Sequence, residues 1–443
     1  PIDADQKLQE DALMSYVASV NYSYGDKYYA SFSFRRDGSS RLSPDTRWGN
    51  FWSLSASWRL SQEKFMQSLK SVLSDLKLRA SYGVNGNLPS SYYGYQSTYT
   101  TGAFYNGKPS PWESTLGNEE LTWEKNYALN LGLDIGLFSR VNVSLDWYTR
   151  TTKDLLMSKQ LNSISGFSSL LTNVGQMRNT GVELEVRSNN IKTKDFSWTT
   201  AFNLSHNKNK ILKLADLPWF VDGRYVRKEG YPFNTIYLRE YAGVDPETGS
   251  ALYYDNQQDE NGNYTKNKVT DPGQASPIPL KDITPTISGG FMNTFNYKFI
   301  DLSFNLSYSF GGYSYDNASY ILQDDGYSVI SNKSTEQRRR WQKPGDITDV
   351  PRFVYGNKKG GNYNSSRAIH STDHIRLKSL ILGLNAPKAW LQKLGIGNAR
   401  IYFSGTNLLT WAAYDQYDPE MSGVVGFYTP PLKTYAFGLE LKF

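Results

Sequence analysis

Few residues in this chain have the types and spacing to do chemistry. His370 and His374 stand four apart, a spacing that shares a metal on a helix. The residues after His374 alternate like a strand, where such positions lie about 13 Å apart, so no metal site is expected. Gly102–Lys108 (GAFYNGK) has the spacing of a phosphate-binding loop. Pro109 stands where the magnesium-binding Ser or Thr belongs, and no strand-to-helix context surrounds it. Asp255–Asn263 (DNQQDENGN) lacks the ligand spacing of a helix–loop–helix calcium site and reads as a solvated turn. Arg338, Arg339 and Arg340 read as a solvated charge run. There is no nucleophile elbow, no zinc-protease helix and no isolated acid pair. The chain is not expected to be an enzyme, and no cofactor is called for.

Aromatic residues are the stronger signal. Tyr92, Tyr93, Tyr95, Tyr99, Phe104, Tyr105 and Trp112 crowd residues 85–120. Trp219, Phe220 and Tyr225 mark a second long connection. Aromatic faces stack on sugar rings and apolar side chains while their polar tips hydrogen-bond. Tyr92, Tyr93, Tyr95, Tyr99, Trp112, Trp219, Phe220 and Tyr225 are therefore the candidates for touching a ligand or a protein partner. Packing of loop on loop is the competing reading.

The elements that carry these loops are strands. Thr434–Phe443 (TYAFGLELKF) puts Tyr435, Phe437, Leu439, Leu441 and Phe443 on one side of a period-2 pattern and smaller or charged residues on the other. The same pattern recurs upstream. Tyr127, Leu129, Leu131, Leu133, Ile135 and Leu137 alternate with Ala128, Asn130, Gly132, Asp134 and Gly136. Such rows predict about thirteen strands, beginning with Tyr16–Tyr24 and Tyr28–Phe34. Each is of the roughly 10-residue length of a membrane-spanning β-strand.

Composition agrees. Aromatics make up 15% of the 443 residues, with 33 Tyr, 21 Phe and 11 Trp, and charged residues only 20%. Mean hydropathy is −0.56. No apolar run approaches the ~18 residues of a helical span. A barrel keeps low hydropathy because half of each strand faces a wet lumen. The absence of cysteine removes disulfides and thiolate sites from consideration. The net charge of +6 is scattered through the chain, which argues against nucleic-acid binding.

Connections alternate short and long along the chain. Gly25-Asp26, Phe138–Arg140, Ser188–Lys194, Lys298-Phe299 and Ala386–Asn398 are short; Asn85–Glu120, Met157–Thr172, Asn207–Thr284, Gly311–Thr372 and Trp411–Lys433 are long. Transmembrane barrels do this, with short periplasmic turns and long outer loops. If the last strand descends to the periplasm, the first descends too, and the count is odd. Single-chain bacterial barrels have an even count, so a larger barrel is expected, of which residues 1–443 are the carboxyl-terminal portion. One helix is expected after Ser61, where Phe65, Leu69, Val72 and Leu73 recur at helical spacing, capping the periplasmic rim.

Several blocks resemble SusC/RagA-type TonB-dependent transporters. They are Arg36–Arg41 (RDGSSR) with Arg47-Trp48-Gly49, Trp58–Phe65 (WRLSQEKF) and Leu76–Asn87 (LKLRASYGVNGN). Leu121–Glu124 (LTWE), Asn173-Val174-Gly175 and Asn179–Leu184 (NTGVEL) follow. Gly243–Gly249 (GVDPETG), Trp341–Asp346 (WQKPGD), Ile375–Lys378 (IRLK) and Gly405–Leu408 through Asp418–Glu420 complete the series in family order. The resemblance implies an all-β transmembrane antiparallel barrel of the 22-stranded type in the outer membrane. It implies a plug and first strands outside this chain, and import powered through the TonB complex. It further implies a SusD-like surface lipoprotein as partner and an oligosaccharide or oligopeptide as substrate. A passive porin or a soluble glycan-binding β protein would be the alternatives.

Overall fold

The computed structural model describes residues 8–102, 104–214, 217–357, 364–387, 391 and 395–443. Its long strands are β1 (Leu13–Tyr24), β2 (Tyr28–Ser39), β3 (Trp48–Arg59), β4 (Leu73–Asn87), β5 (Glu124–Leu137), β6 (Val141–Lys153) and β7 (Gln176–Lys192). After these come β8 (Phe196–Lys213), β9 (Ile287–Tyr297), β10 (Ile300–Phe310), β11 (His374–Asn385), β12 (Asn398–Ala412) and β13 (Thr434–Lys442). Among the described residues these thirteen form one sheet in chain order, each strand hydrogen-bonded to the next. Every period-2 row in the sequence became one of them. Strand β7 runs on to Lys192, which shrinks the expected Ser188–Lys194 connection to Thr193–Asp195.

The sheet inverts the burial of a soluble protein. Along β2, Tyr28, Ala30, Phe32 and Phe34 are exposed while Tyr29, Ser31 and Ser33 between them are partly covered. Leu54 on β3 is 52% exposed and Leu131 on β5 46%. A strand of 12 residues such as β2 extends about 40 Å, enough to cross a bilayer core at a tilt. The tight ends match this role. Phe138 and Ser139 both adopt φ 53° between β5 and β6, the twist of a two-residue hairpin turn.

By its contacts the chain divides into two units. In the first, Pro1–Ser188 with Asn207–Pro218 and Lys228–Tyr231, the polar face of the sheet is cross-braced. Arg79 on β4 lies opposite Gly132 on β5, and Gly132 lies opposite Asp146 on β6. With no side chain at Gly132, the Arg79 guanidinium passes over it. It donates to Asp134 (2.9 and 3.0 Å), to Asp146 (2.9 Å) and to Ser144 (3.1 Å). A Cβ at Gly132 would stand 2.6 Å from both the Arg79 Cζ and an Asp146 oxygen. The second unit, Asn189–His206 with Trp219–Arg227 and Pro232–Phe443, repeats the device. Arg400 on β12 reaches Asp301 on β10 (2.6 Å) across Gly383 on β11.

The expected helix after Ser61 is not formed. Residues Leu60–Gln62 and Lys64–Leu69 make 3-10 turns instead, and Phe65, Leu69 and Val72 are exposed rather than packed. The cause is Glu63. Its carboxylate turns back to accept from Tyr28 Oη (2.7 Å), Lys27 Nζ (2.9 Å) and Trp58 Nε1 (3.2 Å). Glu63 itself is extended, with ψ 147°, which interrupts the helical path. These donors, Tyr28 foremost, hold its carboxyl at about 2 instead of 4.5.

Two outcomes follow. Gly132→Ala gains about 0.5–1 kcal/mol from chain entropy but displaces charge-assisted bonds worth about 1.5–3 kcal/mol. Its net effect is destabilising and appears as a lower urea midpoint of the folded protein in detergent. For Glu63, the lowered folded value means its stabilisation is complete above the ordinary value of 4.5 and is lost as pH falls toward about 2. Glu63→Gln should therefore lower the thermal midpoint at pH 7, with the gap from the parent closing as pH falls through this window.

Candidate functional site

The long connections all leave the same end of the strands. They are 40–47, 88–123, 154–175, 214–286, 311–373 and 413–433. In the first unit they pack around Leu42, Phe51, Val84, Leu121 and Trp123. Trp123 Nε1 donates to the Arg47 carbonyl at 2.8 Å. Asn173 accepts from the Thr122 amide (2.8 Å), and its Nδ2 donates to the carbonyls of Thr122 and Asp154 (both 2.9 Å). The RWG, LTWE and NVG blocks thus meet one another.

This frame sorts the first set of aromatic candidates. Tyr92 lies under the Arg41 guanidinium, 4.1 Å from ring centre to Cζ, and beside Tyr93 at 6.4 Å. Tyr93 Oη accepts from the Glu10 amide (3.3 Å) and Tyr95 Oη from Gln96 (2.9 Å). Tyr92 is half-buried between these neighbours. Tyr99 and Trp112 stand instead on a small hairpin, Thr98–Thr100 paired with Trp112–Thr115, and are 64% and 55% exposed. Beyond it, Phe104–Tyr105 pairs with Lys108–Pro109 around Asn106 and Gly107 at positive φ. The GAFYNGK stretch is therefore a hairpin tip rather than a phosphate loop; Ala103 lies outside the described residues.

In the second unit Trp219 and Phe220 sit on Trp219–Asp222, with the Trp219 ring 5.9 Å from Tyr237 and 44% exposed. Tyr225 is different. It packs on the buried cluster Ile236, Leu238, Tyr315 and Ala368, and burial pushes its phenol above the usual range. It is half-buried against that core.

Sequence reasoning missed two charged clasps, one within the connection 311–373 and one between β11 and the connection 413–433. Arg367 donates to both carboxylate oxygens of Asp325 (2.6 and 3.1 Å), whose Oδ1 also accepts from Gln337 (2.9 Å). The Asp325 side chain is fully buried, which pushes its carboxyl up, while Arg367 pulls it back. Arg376 binds Asp418 (2.7 Å) and Glu420 (2.9 Å), and Lys378 joins at Glu420 (2.6 Å). So the IRLK and DPE blocks form one ion cluster. The GVDPETG and WQKPGD blocks also meet. Trp341 Nε1 and the Gly345 amide both donate to the Pro246 carbonyl (2.8 and 2.9 Å). Trp341 covers Gly249, whose φ of +68° and bare Cα leave room for the indole. The only advance signal was that three of these blocks are polar, Gly- or Pro-bearing loop segments and that IRLK puts two cations in a strand.

The remaining sequence candidates have structural partners. His370 lies flat on Tyr414, ring centres 3.7 Å apart, while His374 Nδ1 meets the Thr372 carbonyl at 2.8 Å. No cluster able to hold a metal occurs among the described residues. Asp255 accepts from Thr265 and Asn267, and Asp259 from the Asn261 and Asn263 amides, as in a solvated turn. Arg339 pairs with Glu336 and Asp349.

The exposed apolar face, the span-length strands and the long connections at one end define a transmembrane β-barrel of the outer membrane. Residues 6–273 match the family model described as TonB dependent receptor-like, beta-barrel. The chain belongs to that family, whose members are transporters rather than enzymes. It is 33% identical to TonB-dependent receptor P3 of Formosa agariphila over 98% of this chain and 46% of that one. Its identity to TonB-dependent receptor SusC of Bacteroides thetaiotaomicron is 30%, covering 99% and 45%. Among solved structures, that of the RagAB peptide transporter superposes with a TM-score of 0.88 at 32% identity, covering 98% of this chain and 48% of that one. The chain spans about half the length of the curated relatives it matches.

The clasps are open to test. Arg367→Met leaves the Asp325 carboxylate buried and unpaired, at a cost of about 3–5 kcal/mol. Amide exchange should speed up in Tyr313–Asp316 and Ile369–Ser371, which pair beside it, while the amides of the long strands keep their protection.

Proposed function

We propose that this chain is the carboxyl-terminal portion of the barrel domain of an active importer of oligosaccharides or oligopeptides. A plug and further strands outside residues 1–443 complete the barrel, and coupling to the TonB complex drives uptake. A SusD-like lipoprotein works with it on the outer face. The observation that carries this reading is the superposition on RagAB along 98% of the chain. The loops support it. The connection 311–373 is held internally by the Asp325–Arg367 clasp, and 413–433 is tied to β11 by the Arg376–Asp418 clasp, so these loops offer a firm outer surface to a ligand or a lid. In the first unit Tyr99 and Trp112 stand exposed, suited to stacking on a sugar ring or an apolar side chain.

The test is uptake by a strain deleted for the whole gene, offered a panel of oligosaccharides and oligopeptides. Loss of uptake of one class identifies the substrate; loss of neither rejects the importer reading. Restoring the gene with Tyr99→Ala and Trp112→Ala should cut uptake at limiting substrate by about 5- to 10-fold, roughly the loss of two aromatic contacts. Unchanged uptake would remove these two residues from the ligand path.

A further inference from the structure

We infer that the first unit carries, on its lipid-facing surface, a binding site for the phosphate of an anionic outer-leaflet lipid. The site is built from Lys153, Arg178, Lys208 and Lys210. The argument begins with the register. Lys153 ends the apolar row of β6 and leans over the Tyr127 ring, 4.8 Å from its centre. Arg178 on β7 donates to Thr151 of that row at 3.2 Å. On β8 the polar face is marked by Asn207 and Asn209, which bond Asn179 (3.3 and 2.9 Å). Lys208 and Lys210 alternate with them and so share the apolar face with Phe202 and Leu204. All four cations are exposed.

Their placement is specific. They sit on three consecutive strands at the end that leads into the long connections 154–175 and 214–286, the outer rim. Strands lie about 4.8 Å apart, so the group spans roughly 10 Å across the sheet. The acids of these strands point the other way: Asp134, Asp146, Glu183 and Glu185 all belong to the polar face. No carboxylate occurs on the apolar face of β5–β8. Beside them, Asp154 is engaged by Lys125 at 3.5 Å. Lys125 itself stands directly opposite Lys153 in the ladder.

A cation above an apolar band sits at headgroup depth, with its stem along the hydrocarbon and its charge at the interface. There the counter-ion within reach is a lipid phosphate. Several cations within one phosphate's reach make a site rather than a diffuse potential, and each contributes about five-fold in affinity (about 1 kcal/mol). The import reading does not depend on this site, nor the site on the import reading.

The experiment uses the full-length protein, stripped of lipid in detergent and reconstituted in phosphatidylcholine bilayers. These contain either an outer-leaflet glycolipid bearing phosphates or the same glycolipid enzymatically dephosphorylated. Lipid retained through re-purification is counted by mass spectrometry. The parent should retain the phosphorylated form selectively. Lys208→Gln with Lys210→Gln should weaken retention about 25-fold, since two charges are removed. Lys208→Arg with Lys210→Arg, which keeps the charges, should preserve it. Neither pair should change substrate uptake. Equal retention of the dephosphorylated lipid, or no loss in the glutamine variant, would overturn the site. Displacement of the lipid by inorganic phosphate at matched concentration would reduce it to a plain anion site and reject the lipid assignment.

Discussion

A backbone amide or carbonyl in hydrocarbon has no water to pair with, so every residue of a span must find its partner on a neighbouring strand. That requirement governs this protein. It forces the long strands into continuous pairing, shifted only at irregularities such as Leu73–Asp75 and Leu377–Ser379, and register then decides which side chain meets which across the sheet. The apolar rows face lipid because of it. So do the cross-braces, because Arg79 reaches Asp146 only when Gly132 stands opposite both. A slip of one residue would turn Arg79 into the bilayer and Leu78 into the lumen.

The same constraint explains where the loops gain their order. The strands leave little freedom at their ends, and the long connections start from fixed anchor points. They are then joined by contacts between segments far apart in sequence. Trp341 covers Gly249, Arg376 pairs with Asp418 and Glu420, and Asn173 closes on Thr122. Each pair joins two of the blocks by which the sequence resembles its relatives. Those blocks work as fasteners of the outer surface, and the exposed aromatic side chains stand apart from them. A family signature of this kind reports how the loops are held and says little about what they bind.

Much of this was legible beforehand, and particular residues show why. The row Tyr127 to Leu137 is written in alternation, which is local and survives without any knowledge of neighbours. The turn at Phe138-Ser139 was legible from its length alone. The stretch after Ser61 misled because Phe65, Leu69 and Val72 do recur at helical spacing. What defeats the helix is three donors from elsewhere, two of them 35 and 36 residues earlier in the chain, which claim the Glu63 carboxylate. For Tyr92 and Tyr225 the type of residue suits a ligand surface, and only the structure adds that the Arg41 guanidinium lies over one ring and that the other packs, half-buried, on a buried cluster.

By itself the sequence determined the number of strands, the face each row presents and the alternation of short and long connections. All three depend on periodicity and spacing, which are properties of neighbouring residues. Only the tertiary structure decided which charges pair, which aromatic residues remain exposed and which glycines are crossed. Those outcomes require side chains from different strands and loops to be brought within about 3 Å of each other, the reach of a hydrogen bond. No local pattern in the chain carries that distance.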